Sequence, residues 1–245
     1  MELSEEKLDS PAAALIKTTL VDFPGRVACS IFLHGCNLRC PYCYNRDLVL
    51  TPRPDATLAS ANEIIAHLEN RKKVLTGFVI SGGEALLNPL TSYLIKKAKN
   101  AGYKVKLDTN GTLPDLLEKL IENPETRPDF IAMDIKTSPQ KYASLLSQNK
   151  NENYPELLNR SIKLISAYQP ECREFRTVLV PTIVSESDIK EIAQILPPDA
   201  SWQFAKFRNE NCLDPKYNSI LPYLDTEIEK LVNTAKQFIA GAALR

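Results

Sequence analysis

The stretch VACSIFLHGCNLRCPYCYN, residues 27–45, decides the fold. Its first seven residues are apolar or small with no polar alternation, the pattern of a strand covered on both faces in a parallel sheet. That strand runs straight into Cys36, Cys40 and Cys43. In α/β proteins ligands bind beyond the C-terminal ends of the strands, so a cluster of metal-ligating residue types there marks a site. Outward from this unit the same pattern repeats. Apolar runs at 77–81, 103–108, 129–135, 175–181 and 201–207 read as strands. Amphipathic runs at 61–70, 90–102, 113–123, 154–168, 187–196 and 226–239 read as helices, the last closing the chain. This alternation predicts an α/β fold with helices over a parallel sheet. No composition shift, Gly/Ser linker or internal repeat divides the chain, so one domain is expected. Six strands suit an open doubly wound sheet and an incomplete barrel equally.

Polar or Gly-rich clusters directly follow the first four of these strands: HGCNLRCPYCYN, SGGEALLNP (81–89), DTNGT (108–112) and DIK (134–136). Together they predict one site on one rim. The three cysteines suit metal. A structural zinc site wants a fourth Cys or His at short spacing, and only His34 is near. An iron–sulfur cluster with one iron free of protein ligands fits the spacing better. Gly82 and Gly83 allow close backbone approach, and Glu84 can accept from an ammonium; a plain strand-to-helix turn is the simpler alternative. Asp108, Asp134 and Lys136 suit a zwitterion or, alternatively, a structural ion pair. Asn110-Gly111 reads as a turn.

Composition narrows the classes. Thirty basic residues balance thirty acidic ones, which argues against nucleic acid as a partner and against an anionic membrane surface. No apolar run is long enough for a membrane span, and MELSEEKLDS lacks a secretory apolar core, so a cytoplasmic location is expected. There six cysteines are not expected to form disulfides. Cys29 falls inside a buried strand, and Cys172 and Cys212 lack partners at ligand spacing. His67 reads as a surface or boundary residue of a helix, Trp202 as core or rim of the sixth strand, and the five lysines of IKKAKNAGYKVK (95–106) as a solvated face.

CNLRCPYC has the CxxxCxxC pattern, with an aromatic before the last cysteine, of the radical S-adenosylmethionine (SAM) enzymes. TTLVDFPGRVACSIFLHGCNLRCPYCYN resembles the opening of the glycyl-radical-enzyme activases, including a DxPG turn at Asp22–Gly25. SGGEALLNP, KLDTNGTL and FIAMDIK resemble later motifs of that group. FAKFRNENCLDP (204–215) is similar to the tail of the anaerobic ribonucleoside-triphosphate reductase activating proteins.

The resemblance implies a single-domain partial (β/α)6 barrel, with an N-terminal extension over 1–26, a core over 27–207 and a C-terminal loop and helix over 208–245. It implies a [4Fe–4S] cluster on Cys36, Cys40 and Cys43 whose fourth iron takes SAM. Tyr42 would lie against the adenine, and Gly82, Gly83 and Glu84 would meet the methionyl amino group. Asp108 and Asp134 would hold that end, with Lys136 on the carboxylate. Reductive cleavage would give methionine and a 5′-deoxyadenosyl radical, which in an activase takes hydrogen from a glycine of a partner enzyme. An anaerobic ribonucleoside-triphosphate reductase-like partner and a flavodoxin or ferredoxin electron donor follow from the same resemblance. A radical SAM enzyme acting on a small molecule or tRNA-pathway precursor is the alternative. Two positions depart from the family: Tyr44 stands where these activases commonly carry His, and Ala85 where Pro is frequent. A tyrosine at 44 retains stacking and hydrogen-bonding capacity toward the cofactor.

Overall fold

The structure, a computed structural model, describes residues 4–50, 58–147 and 149–245. Its strands are β1 (Pro11–Thr19), β2 (Ala28–Leu33), β3 (Ala59–Ser60), β4 (Gly77–Gly82), β5 (Lys104–Thr109), β6 (Phe130–Asp134), β7 (Arg173–Leu179), β8 (Trp202–Lys206) and β9 (Ala242–Leu244). The longer helices are α3 (Ala61–Asn70), α4 (Leu90–Asn100), α5 (Pro114–Glu122), α7 (Tyr154–Ser166), α8 (Glu186–Ile195) and α9 (Asp225–Lys236). Three short ones are α1 (Glu5–Asp9), α2 (Arg46–Val49) and α6 (Tyr142–Leu145). The six strands and six helices expected from sequence all form, with ends displaced by at most a few residues. The fold class is α/β.

Two compact units are distinguished. The first comprises the described residues of Met1–Cys36, Asp47–Thr109 and Glu118–Phe130. Within it β2, β4 and β5 pair in parallel, in register Ala28↔Gly77 and Gly77↔Lys104. β2 is buried along nearly its whole length, and the Cys29 thiol, its interior residue, is pushed up to about 12 by burial. α3 starts where Ser60 and Glu63 form a capping box, each side chain accepting from the other's backbone N–H (3.1 and 2.8 Å), which satisfies two end donors. β1 was not marked by the sequence reading. It pairs antiparallel with β2, and its burial is too mixed to give a clean period. The DxPG turn folds back onto this unit: Asp22 accepts from Ser30 Oγ (2.7 Å), and the buried Phe23 ring packs on Phe130 at 5.7 Å. Gly77 is required there, because a Cβ would stand 2.8 Å from Phe23.

The second unit comprises Asn37–Arg46, Asn110–Leu117 and the described residues of Ile131–Arg245. Here β6, β7, β8 and β9 pair in parallel. Trp202 is fully buried, as expected, and donates its indole N–H to Thr177 (3.0 Å). The chain does not close on a helix: after α9 it adds β9, only three residues long, too short for a period to show. α8 begins at a second capping arrangement, in which the wholly buried Asp188 accepts from Ser185 N (2.8 Å). The same carboxylate accepts from Ser138 (2.7 Å) and Lys141 (2.8 Å), so it fixes the loop after β6. No helix among the described residues is long and apolar enough to cross a membrane.

Candidate active site

In the first unit, the ends of three parallel strands meet around the segment leading to Cys36. Gly83 N donates to Leu33 O (3.0 Å) and Glu84 N to Gly35 O (2.8 Å). The two glycines exist for this approach. A Cβ on Gly82 (φ +139°) would stand 2.1 Å from Leu33 O, and one on Gly83 would stand 2.2 Å from Gly35 O and 3.0 Å from Cys36 Cβ. What they let the backbone approach is thus the chain's own cysteine segment. Glu84 is buried, and its Oε1 accepts from Thr109 Oγ1 (2.8 Å) and Leu86 N (3.2 Å), which caps the short turn that follows. Asp108 accepts from Lys106 Nζ at 2.6 Å. Lys106 is only 1% exposed, so it departs from the solvated face expected of its lysine cluster. Lys96 and Lys104 keep to that expectation as exposed ion pairs with Glu125 and Asp129.

In the second unit, Asp134 at the end of β6 accepts from Arg176 Nε (2.6 Å) and from Lys136 Nζ (3.2 Å). Burial works to raise the Asp134 carboxyl, but Arg176 and then Lys136 outweigh it and hold it well below the usual carboxylate range. Burial likewise opposes the Lys136 ammonium, yet Asp134, Tyr42 and Cys40 raise it well above an ordinary lysine. Both groups therefore keep their charges at neutral pH. Tyr142, fully buried, accepts from Lys136 N (2.8 Å) and so fixes the backbone that carries this cation. Tyr42 is buried and its hydroxyl meets no hydrogen-bond partner; burial first and Cys40 next push its pKa up. Burial also raises the Cys43 thiol, while Lys136 acts in the opposite direction. Tyr44 is exposed.

The loop Asn37–Arg46 is held from several directions inside this unit. Asn37 Nδ2 donates to Thr112 Oγ1 (2.7 Å), Asn110 Nδ2 donates to Asn37 Oδ1 (2.9 Å), and Asn110 Oδ1 accepts from Thr112 N (2.9 Å). Asn110 is thus a buried brace of the cysteine loop and more than the turn its sequence suggested. Gly111 beside it (φ +73°) leaves no room for a Cβ, which would stand 2.1 Å from Met133. Leu38 bridges Ser147, and Arg39 N donates to Leu146 O (2.6 Å). Leu213 N donates to Cys43 O and Asp214 N to Pro41 O, each at 2.9 Å.

The donor chemistry suits an iron–sulfur cluster. Three thiols stand at CxxxCxxC spacing, the residue type and pattern from which iron–sulfur clusters are held. Within the cysteine motif, the Tyr42 hydroxyl and both ring nitrogens of His34 are buried without a hydrogen-bond partner. Among the described residues no three metal-binding side chains form a preformed cage, so the ligand assignment rests on spacing and chemistry. The pattern described as "Radical SAM superfamily" matches residues 30–196, more than half the chain.

The protein belongs to the radical SAM superfamily. Its relatives sharpen the placement. It is 29% identical, over 95% of both chains, to a Methanocaldococcus jannaschii protein named "Putative glycyl-radical enzyme activating enzyme". It is 31% identical to the pyruvate formate-lyase-activating enzyme of Staphylococcus aureus, over 69% of this chain and 67% of that one. Among solved structures, a radical SAM methyltransferase from Sphaerobacter thermophilus aligns with a TM-score of 0.64, at 14% identity, over 96% of this chain and 77% of that one. That likeness shows the radical SAM fold. The chain is a radical SAM enzyme, homologous to glycyl-radical enzyme activating enzymes, and its cofactors are a [4Fe–4S] cluster and SAM.

Sequence reasoning missed Arg176, Tyr142, Asn37 and Thr112. Arg176 lies inside a strand and Tyr142 in a short helix, where no motif marks them. The signal available for Asn37 was its place in the cysteine motif.

Proposed function

We propose that this protein is a glycyl-radical enzyme activating enzyme, working as one radical SAM domain in the cytoplasm on an anaerobic ribonucleoside-triphosphate reductase-like partner. The observation that carries the activase reading is the likeness, over 95% of both chains, to a protein named "Putative glycyl-radical enzyme activating enzyme". The similarity of FAKFRNENCLDP to the tail of reductase activating proteins supports the choice of partner. Each compact unit is assembled from three separate stretches of chain, and this interleaving supports reading them as one working domain.

When bound, the cluster and SAM supply reductive cleavage of SAM to methionine and a 5′-deoxyadenosyl radical; a flavodoxin or ferredoxin provides the electron. Cys36, Cys40 and Cys43 would hold the cluster, which would supply the coordination place that SAM takes. The chain's remaining tasks are to bind, orient and exclude water. Lys136, kept protonated, offers a fixed cation to the SAM carboxylate. Asp134 stays ionised between Arg176 and Lys136, and Asp134 and Asp108 would help hold the methionyl ammonium. Gly82, Gly83 and Glu84, on a turn fixed against the segment that carries Cys36, would meet the same ammonium. The Tyr42 ring supports the adenine, and the exposed Tyr44 offers a further stacking or hydrogen-bonding group.

The test of the partner assignment is stoichiometric. With the reductase-like protein present, reconstituted enzyme is expected to release 5′-deoxyadenosine in proportion to that protein. Replacing the partner's radical-bearing glycine by alanine is expected to return the yield to the partner-free level. An unchanged yield with the altered partner contradicts the assignment.

A further inference from the structure

Three carbonyls of the loop between Cys40 and Asn45 are taken up by donors from one distant segment. Asp214 N donates to Pro41 O and Leu213 N to Cys43 O, both at 2.9 Å. Asn211 Nδ2 donates to Tyr44 O at 3.1 Å. The donors therefore come from one short segment, and they meet a loop 167 residues away in the chain.

That segment is itself braced. Asn211 adopts a left-handed backbone, φ 53°, a region in which asparagine is enriched. This conformation accompanies the donation of its amide to the loop. Asn218 Oδ1 accepts from Cys212 N (2.9 Å), and Asp214 Oδ1 accepts from Lys216 N (3.0 Å), which starts the short helical turn Pro215–Ser219. The Cys212 side chain is fully buried, with its thiol toward Arg208 O (3.7 Å) and Glu210 O (3.9 Å). Phe207 and Tyr217, which flank Cys212 in sequence, meet edge to face at 6.5 Å.

We infer that Asn211–Asp214, braced by Asn218, is a clamp that holds the cluster-bearing loop in place. Asn211 and Asn218 are positioning residues that act on Cys43 through the backbone. The physical reason is local stability. A surface loop opens at low free-energy cost, and a metal centre whose ligands sit on such a loop loses its metal through those openings. Tying three carbonyls of the loop to a braced segment raises the cost of opening. The inference rests on the reading of Cys36, Cys40 and Cys43 as cluster ligands.

The test uses anaerobically reconstituted full-length protein and follows iron transfer to a chelator. Asn211→Gly keeps the left-handed backbone accessible and removes the amide. Asn218→Ala removes the acceptor for Cys212 N, and Asn218→Asp restores it. Asn211→Gly and Asn218→Ala are expected to release iron several-fold faster, on the order of fivefold for one lost hydrogen bond. Asn218→Asp is expected to stay near the parent rate. Parent-like release from both Asn211→Gly and Asn218→Ala overturns the clamp. Cys40→Ala, run alongside, separates the two ideas, because full iron retention there overturns the ligand reading itself. If the variants do not fold, hydrogen exchange on the unaltered protein decides. Linkage is reciprocal, so the Leu213 and Asp214 amides should exchange more slowly with the cluster bound than without it. Equal exchange in both forms overturns the inference.

Discussion

Gly83 lets one backbone segment come close to another: a Cβ there would stand 2.2 Å from Gly35 O and 3.0 Å from Cys36 Cβ. This close approach inside the chain leaves the proposed place of the glycine turn beside the methionyl ammonium open to it. Gly83→Ala must push the turn off the segment that ends at Cys36. Reconstituted Gly83→Ala protein is expected to take up well under half the iron of the parent, measured by colorimetric iron content; full uptake would show that the turn can retreat harmlessly. Asp188 carries a pH dependence. Burial acts to raise its carboxyl, but hydrogen bonds from Lys141, Ser185 and Ser138 outweigh burial and lower it to about 2. An unfolded aspartate titrates near ~3.9, so the stabilisation is complete above about pH 4 and is lost as pH falls through about 2. Its size is on the order of 1–2 kcal/mol, because Lys141 is partly solvated and screened. Urea unfolding at pH 7 and pH 2.5 should show this loss in the parent and a smaller one in Asp188→Asn.

At the scale of elements, legibility followed burial. β2, β4 and β6 have little exposed surface on either face, and a run covered on both sides needs no context to be recognised. β1 begins with proline, is rich in alanine, and mixes buried with exposed positions, so its strand state is set by pairing with β2. The DxPG turn that follows was visible as a motif, but its anchoring was not. Phe23 is held by Phe130, and no local pattern announces a contact made so far along the chain. Phe23→Ala should cost about 3 kcal/mol of stability, the usual loss for a buried ring, as a lower denaturant midpoint at unchanged slope. A midpoint within error of the parent would mean that the turn does not dock as described. The same limit applied around the cysteines. Their spacing named the chemistry, while the groups that hold the loop, Asn110, Thr112 and Asn211–Asp214, come from distant segments and lacked a local signal.

Across the whole molecule, three cysteines, a glycine turn and a run of charged strand ends were legible because each follows a buried strand directly. The partners of the charged ends were not, since Asp134, for one, is paired by Arg176 from the neighbouring strand. The superfamily match gives these parts one purpose, to hold the cluster and SAM of a radical enzyme, and the proposed function delivers that radical to a partner's glycine. The most direct measurement is electron paramagnetic resonance of an anaerobic ribonucleoside-triphosphate reductase-like protein after anaerobic incubation with the reduced enzyme and SAM. The expected result is a glycine-centred doublet that appears with the parent enzyme and is absent with Cys40→Ala. A silent partner in a sample where 5′-deoxyadenosine has nevertheless formed would contradict the activase assignment.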